Sequence, residues 1–449
     1  MSSDADKASA PASSKKPMTV LQASFIGVGA MVGAGIFALL GAAGAVAGSA
    51  VWLSFLIAGA IAGLQGYSFA KLGSSFPSGG GMLTYLAKGF GEGHITGIVS
   101  WLFYMTGAIV AAMVATSFGG YASAVVTDDD PVWAVVFAVL LVLVMTALNI
   151  VGSTAVARVQ SLIVKVVLAI LSLFAIVTIV NWNPALLNPA QYPGVREIIS
   201  SVALTFFAFL GFGVITFTAK DLPNPVRQLP RAMYLALGIA TAVYVAVSLG
   251  VFGTLTAEQV VAYGATALAE AAKPTLGQAG YVLMVITALF STAGAVNASL
   301  YPSTGMTRHL AEVGQFPTVF GRQIGRRAPV GLVVMAILTI FMIVALDLNS
   351  IASLGSAVAL LIFSAVTIAH FRTYRETGAS LIILIIALTA TLGTFVVFTM
   401  TTLVNEPKTA VALVVILVAA TLLDFFWKRA RDRGSAGYSR HTESDSHGT

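Results

Sequence analysis

The sequence predicts an all-α integral membrane protein with about twelve transmembrane helices, on three observations. Of its 449 residues, 57% are apolar and 9% charged, against about 25% charged in a soluble chain. Charge is missing over whole stretches: no Asp, Glu, Lys or Arg lies between Lys16 and Lys71, between Glu92 and Asp128, or between Lys273 and Arg308. The apolar runs are continuous and outlast the ~10 alternating residues of a tilted barrel strand, so they read as helices crossing a ~30 Å hydrocarbon core. Cysteine is absent, which removes disulfides, thiolate metal sites and cysteine nucleophiles from consideration.

Charged or Pro/Gly-rich breaks delimit a single membrane domain, 18–428, span by span. Span one, 19–47, follows Pro17 and is too long for a signal-peptide core, so it is expected to stay uncleaved behind a disordered polar tail, 1–17. Span two, 51–72, ends at Lys71; span three, 95–125, lies between Glu92 and the acidic run Asp128 to Asp130. Span four, 132–151, sits between Pro131 and Gly152, and span five, 158–181, between Arg158 and Asn181. Span six, 198–219, is held between Arg196 and Lys220; span seven, 231–254, opens at Arg231; span eight, 276–300, runs from beyond Lys273 toward Pro302. Spans nine and ten, 329–346 and 349–371, flank Asp347, while spans eleven and twelve, 379–402 and 408–427, flank Glu406 and Pro407. A second polar tail, 429–449, follows. The segments 76–91 and 306–325 read as short helices at one membrane face, and 256–274 as surface helix at the other.

With the N-terminus inside, all but three of the 24 Lys and Arg residues lie within spans or at their inner ends, the exceptions being Arg196, Lys273 and Lys408. The positive-inside rule therefore places both termini in the cytoplasm. The basic residues are dispersed between apolar runs instead of gathered on a soluble module, so nucleic acid is not an expected partner. The expected partners are the bilayer and a small molecule.

Two spans carry the composition of a broken helix. Span one holds Gly27, Gly29, Gly33 and Gly35 within nine residues, and each mid-helix glycine costs about 0.5–1 kcal/mol relative to alanine. These glycines serve either as close-packing surfaces or as a break whose freed N–H and C=O groups line a site. In span six the aromatic run from Thr205 to Phe209 meets Gly211-Phe212-Gly213 at mid-span. The two candidates lie five spans apart, the placement expected of two inverted five-helix repeats that hold a ligand at the bilayer midplane.

Four motifs then carry a family resemblance: Val32-Gly33-Ala34-Gly35-Ile36-Phe37 in span one; Pro77, Gly80, Gly81 and Tyr85 followed by Phe90-Gly91; Phe207 to Phe212 in span six, with Asn224-Pro225 and Leu229-Pro230-Arg231-Ala232 after it; and Asn297 with Leu310-Ala311, Gly314 and Pro317. In their order and spacing the chain resembles the amino acid permeases of the amino acid, polyamine and organocation superfamily over nearly its whole length. The resemblance implies inverted repeats at about 19–181 and 198–371, broken helices one and six, peripheral helices at about 379–427, and alternating access across the cytoplasmic membrane. It implies that the backbone N–H groups of Ala34, Gly35 and Ile36 receive a substrate carboxylate. The carbonyls of Met31, Phe207 and Leu210 receive its ammonium, with Gly33, Gly211 and Gly213 as hinges. Phe207 takes the gating position, and Thr106, Gly107, Ser353 and Ser356 are candidate neighbours of the substrate side chain. Gly213 stands where many relatives carry glutamate, and Lys220 where they carry an acidic residue.

Lys165 lies about two turns inside span five, where an ammonium must face the interior, pair or snorkel. Some proton-coupled relatives set a lysine of this helix against the first helix, which makes Lys165 a coupling candidate. Ser291 and Thr292, adjacent hydroxyls in span eight, are the alternative, as sodium ligands. No cofactor or resident metal is expected, and the coupling ion is expected to be a proton, with sodium open. No Asp or Glu lies near mid-membrane to neutralise a second positive charge, so the expected substrate is a neutral amino acid, moved by a secondary permease. The competing readings are a carrier of organic or inorganic cations on the same core and a non-transporting receptor or structural membrane protein. The lack of a His/Glu metal motif, a carboxylate pair or a nucleophile with a base argues against an enzyme.

Overall fold

In lipid every backbone N–H and C=O must be paired within the protein, and an apolar run achieves this locally only as a helix. The structure is a computed structural model that describes residues 18–445 except Gly79, Gly152, Ser153 and Arg326, with the backbone alone described at 34, 154–161 and 432–445. The expected tail at 1–17 lies outside the described residues.

The helices are, in order, α1 (Val20–Ala47), α2 (Val51–Ser75), short α3 (Met82–Phe90), α4 (His94–Val126), α5 (Pro131–Val151), α6 (Thr154–Val180) and α7 (Val195–Phe207). A 3-10 helix, Leu210–Asp221, follows α7. Then come α8 (Pro225–Phe252), short α9 (Ala257–Tyr263) and α10 (Ala267–Glu270), α11 (Lys273–Glu312), α12 (Val330–Ala345), α13 (Leu348–Thr377), α14 (Leu381–Phe398) and α15 (Pro407–Asp445). The sheet among the described residues is one two-residue antiparallel pair, Gln323–Ile324 with Ala328–Pro329. The fold is thus all-α, as expected. Among the described residues, length and composition give 10 stretches able to cross a bilayer. The difference from about twelve lies in α1 and α2, counted largely as one stretch, and in α12, with 16 residues.

Two segments differ from expectation. The inner helix placed at 306–325 begins instead as the continuation of α11, which runs through Pro302 to Glu312. The tail placed at 429–449 continues α15 as far as Asp445, over a stretch without a proline to stop it.

The helix in the middle of the bundle is α1, whose Val28, Met31, Ile36 and Leu39 are fully buried, while Trp133, Phe290, Phe341 and Ile382 on peripheral helices are exposed, giving an apolar outer face. Sparse polar bonds fix the helix registers, each worth about 0.6–2 kcal/mol in lipid. Ser24 donates to the Ala232 carbonyl (3.0 Å), Thr205 to that of Ser54 (3.0 Å), and Asn149 to the side chain of Asn297 (2.8 Å). His370 is fully buried between Ser68 (2.6 Å) and Thr377 (2.8 Å).

At the end of the bundle that carries Met18 and Arg431, α15 is clasped onto α4. The fully buried Asp424 carboxylate lies 2.6 Å from His94 Nδ1 and 3.1 Å from Lys428 Nζ. Gly97 makes room for it, since a Cβ there would lie 2.7 Å from the carboxyl carbon. Truncating one partner of a buried pair costs about 3–5 kcal/mol, whereas apolar replacement of both is near neutral. Asp424→Ala is therefore expected to lower the melting temperature of the purified protein in detergent. The double variant Asp424→Leu, Lys428→Met should recover most of that loss.

Candidate functional site

The α-helix of the sixth span stops at Phe207 and resumes as a 12-residue 3-10 helix from Leu210. Such helices rarely exceed three or four residues, and long ones mark strain or a functional hinge. Three hydrogen bonds cross the break: Ala208 N–H to the Thr205 carbonyl (3.1 Å), Phe209 N–H to Phe206 (2.9 Å) and Phe212 N–H to Phe209 (3.0 Å). Ala208 and Phe209 keep right-handed helical dihedrals, so the backbone passes here from α to 3-10 pairing. The Ala208 carbonyl is taken by the hydroxyl of fully buried Tyr244 on α8, at 3.1 Å. Gly211 is required by close approach, because a Cβ there would lie 2.5 Å from the Ala30 carbonyl carbon and 2.6 Å from Met31 N.

The break opens onto a cavity of ≈ 130 Å³, about four water volumes. Phe207, Ala208, Leu210 and Gly211 form one wall, with Ala30 of α1 beside them. The α4 wall is Phe103, Thr106 and Gly107; α11 contributes Ala295, Ser299 and Ser303; Met335, Ile362 and Phe363 come from α12 and α13. Among these described lining residues none is charged. Phe207 is 2% exposed, and its ring lies against Gly355 of α13, where a Cβ would meet Cε2 at 2.6 Å. Behind the break Phe212 packs on Phe69 and Phe363, both at 5.3 Å between ring centroids. The cavity therefore combines an apolar, uncharged wall with the point at which the sixth span changes its hydrogen-bonding pattern.

Of the residues expected from sequence, Phe207, Leu210, Gly211, Gly213, Thr106 and Gly107 meet at this cavity. Ser353 and Ser356 do not line it. The broken first helix is corrected: α1 is continuous through Gly33, so the N–H groups of Gly35 and Ile36 and the Met31 carbonyl lie within an uninterrupted helix. Of Ala34 only the helical backbone is described. Packing is the physical reason. A Cβ at Gly33 would lie 2.8 Å from the Ser291 carbonyl oxygen, and one at Gly35 would lie 2.5 Å from the Tyr244 hydroxyl. Gly213 has ordinary space around it, with Met82 Cε 3.5 Å away.

Lys165, the coupling candidate, is exposed, with Nζ 5.7 Å from the centroid of Phe25. Its neighbours Ile163, Val164 and Val167 line instead a niche of ≈ 10 Å³ with Gly29, Gly33 and Ser291. Thr292 turns from this niche and donates to the Ala288 carbonyl at 2.6 Å. Sequence reasoning missed Tyr244, whose signal was a polar-tipped aromatic at mid-span, and the methionines of the cavity, which carry no distinguishing periodicity.

The family described as "Amino acid permease" matches residues 18–426. The chain is 33% identical to the Inner membrane transport protein YbaT of Escherichia coli over 83% of its own length and 87% of that protein. It is 25% identical to the Serine/threonine exchanger SteT of Bacillus subtilis over 68% of the chain and 70% of the exchanger. To the Branched-chain amino acid permease BcaP of the same organism it is 26% identical over 52% and 54%.

Two substitutions probe the break. Tyr244→Phe leaves the buried Ala208 carbonyl unpaired, at about 1–3 kcal/mol, and is expected to lower the melting temperature in detergent. Gly211→Ala forces α1 and the 3-10 helix apart at Ala30, and is expected to abolish ligand-induced thermal stabilisation while leaving membrane insertion intact.

Proposed function

The chain belongs to the amino acid permease family and is a multi-pass membrane transporter, and from that premise we propose that it moves a neutral amino acid across the cytoplasmic membrane by alternating access, driven by a proton gradient, with both termini cytoplasmic. One observation carries the reading: an uncharged cavity is walled by the point where the sixth span changes from α-helix to 3-10 helix after Phe207. The Leu210 and Gly211 N–H groups suit a carboxylate and the Phe207 carbonyl an ammonium, so the zwitterion brings both charges that the site lacks. A cationic substrate would enter with no carboxylate among the described lining residues, at a large desolvation cost.

The position of Phe207 against Gly355 supports a gate on the far side, with the cavity facing the end that carries the termini. The named relatives support amino acid cargo in two different side-chain classes, hydroxylated and branched. Proton coupling is supported by the poverty of oxygen ligands in the niche between α1, α6 and α11, where the side-chain oxygen is that of Ser291 among glycine and aliphatic groups.

Uptake of labelled neutral amino acids into proteoliposomes tests the reading. An imposed acid-outside gradient is expected to drive accumulation, and an imposed sodium gradient is not. Uptake of none of a full amino acid panel would overturn the proposal. Lys165→Ala is expected to retain gradient-driven uptake within about two-fold of wild type, because an exposed lysine at the lipid boundary sits outside the pathway.

A further inference from the structure

The chemistry of the cavity wall constrains the substrate's side chain, on the reading that the cargo is an amino acid. Three hydroxyls reach the cavity, and each donates its proton to its own helix. Thr106 donates to the Leu102 carbonyl (2.9 Å), Ser299 to Ala295 (3.0 Å) and Ser303 to Leu300 (2.6 Å). They keep only lone pairs for a ligand. Away from the break the wall is otherwise thioether, aromatic and aliphatic, including Met82, Phe103, Phe217, Met306 and Met335. An oxygen on the substrate side chain would leave its water donors and meet no replacement donor there.

One pair of residues meets across the wall of this apolar region. Gly107 on α4 faces Met335 on α12, and a Cβ at Gly107 would lie 2.9 Å from the Met335 methyl carbon and 3.4 Å from its sulfur. The atoms it would displace are the far end of a flexible, polarizable side chain that can fill or vacate the recess.

We propose that Gly107 and Met335 form the floor of an apolar side-chain subsite that selects aliphatic and thioether amino acids over their polar isosteres. The backbone at Leu210 and Gly211 holds the shared zwitterionic end, and the subsite discriminates what extends from it.

The test is a titration of the purified full-length protein in detergent, read by calorimetry, with valine, leucine and methionine against threonine, asparagine and glutamine. Each apolar member is expected to bind at least about ten-fold more tightly than its isostere, approaching roughly 100-fold for valine over threonine. Gly107→Ala, which pushes the Met335 terminus into the recess, is expected to lower leucine and methionine affinity about ten-fold relative to alanine. Met335→Ala should shift preference the other way, toward phenylalanine. If threonine, asparagine and glutamine bind as tightly as their apolar partners, the subsite is overturned while amino acid transport stands. If no amino acid binds and none enters proteoliposomes, the amino acid reading falls and takes the subsite with it.

Discussion

The arrangement depends on a single constraint: a backbone polar group in the hydrocarbon region must find a partner inside the protein or line a cavity. The sixth span violates helical pairing after Phe207, and the surrounding structure is arranged around that violation. Tyr244 reaches from α8 to take the Ala208 carbonyl. The backbone of α1 seals the opposite side by resting on Gly211. The change of pairing itself faces a cavity instead of lipid. The break persists because its cost is met on two sides by protein and on the third by a space where a ligand can take the place of water.

The continuity of α1 follows from the same packing. Its glycines are spent on close approach in several directions: Gly27 against Ile215, Gly29 against Val164, Gly33 against α11, and Gly35 against Tyr244 and Ala208. Each removes a Cβ that would hold the neighbour off, which brings the 3-10 helix, α6, α8 and α11 onto one central rod. A glycine that loosens a helix and a glycine that lets another helix approach are the same letter, so the sequence signal for a break at Gly33 was degenerate. Gly211 was less ambiguous because an aromatic run precedes it and a second glycine follows at Gly213, a combination poor in helix propensity on both counts.

Legibility therefore tracked locality. Helix positions were readable, since charge-free length is a property of contiguous residues and each expected span falls on a helix. The phase of a residue around its helix was not. For Lys165 the sequence left facing the interior, pairing and snorkelling all open; two residues turn a helix by about 200°, and it is Val167, not Lys165, that reaches the niche beside Gly29 and Gly33. Ser291 and Thr292, adjacent in sequence, part for the same reason, one toward that niche and one back to its own helix. The cavity wall is the extreme case, because Met82, Met306 and Met335 come from three separate elements and acquire a shared meaning only when the bundle closes.

The charge deficit that first marked the chain as a membrane protein also bears on how it works. A fixed charge along a path through low dielectric attracts its counter-ion at every position, and the ion must escape that attraction to move on. A cavity without charged walls avoids this, but it can hold only a ligand whose own charges are balanced. Backbone dipoles at a helix break are the remaining means of gripping such a ligand, and they are partial charges that a small rotation about the break can re-aim. On the proposed reading, recognition and release fall to the same few peptide groups between Phe207 and Gly211. The surrounding helices supply what those groups lack, a shape against which side chains are compared.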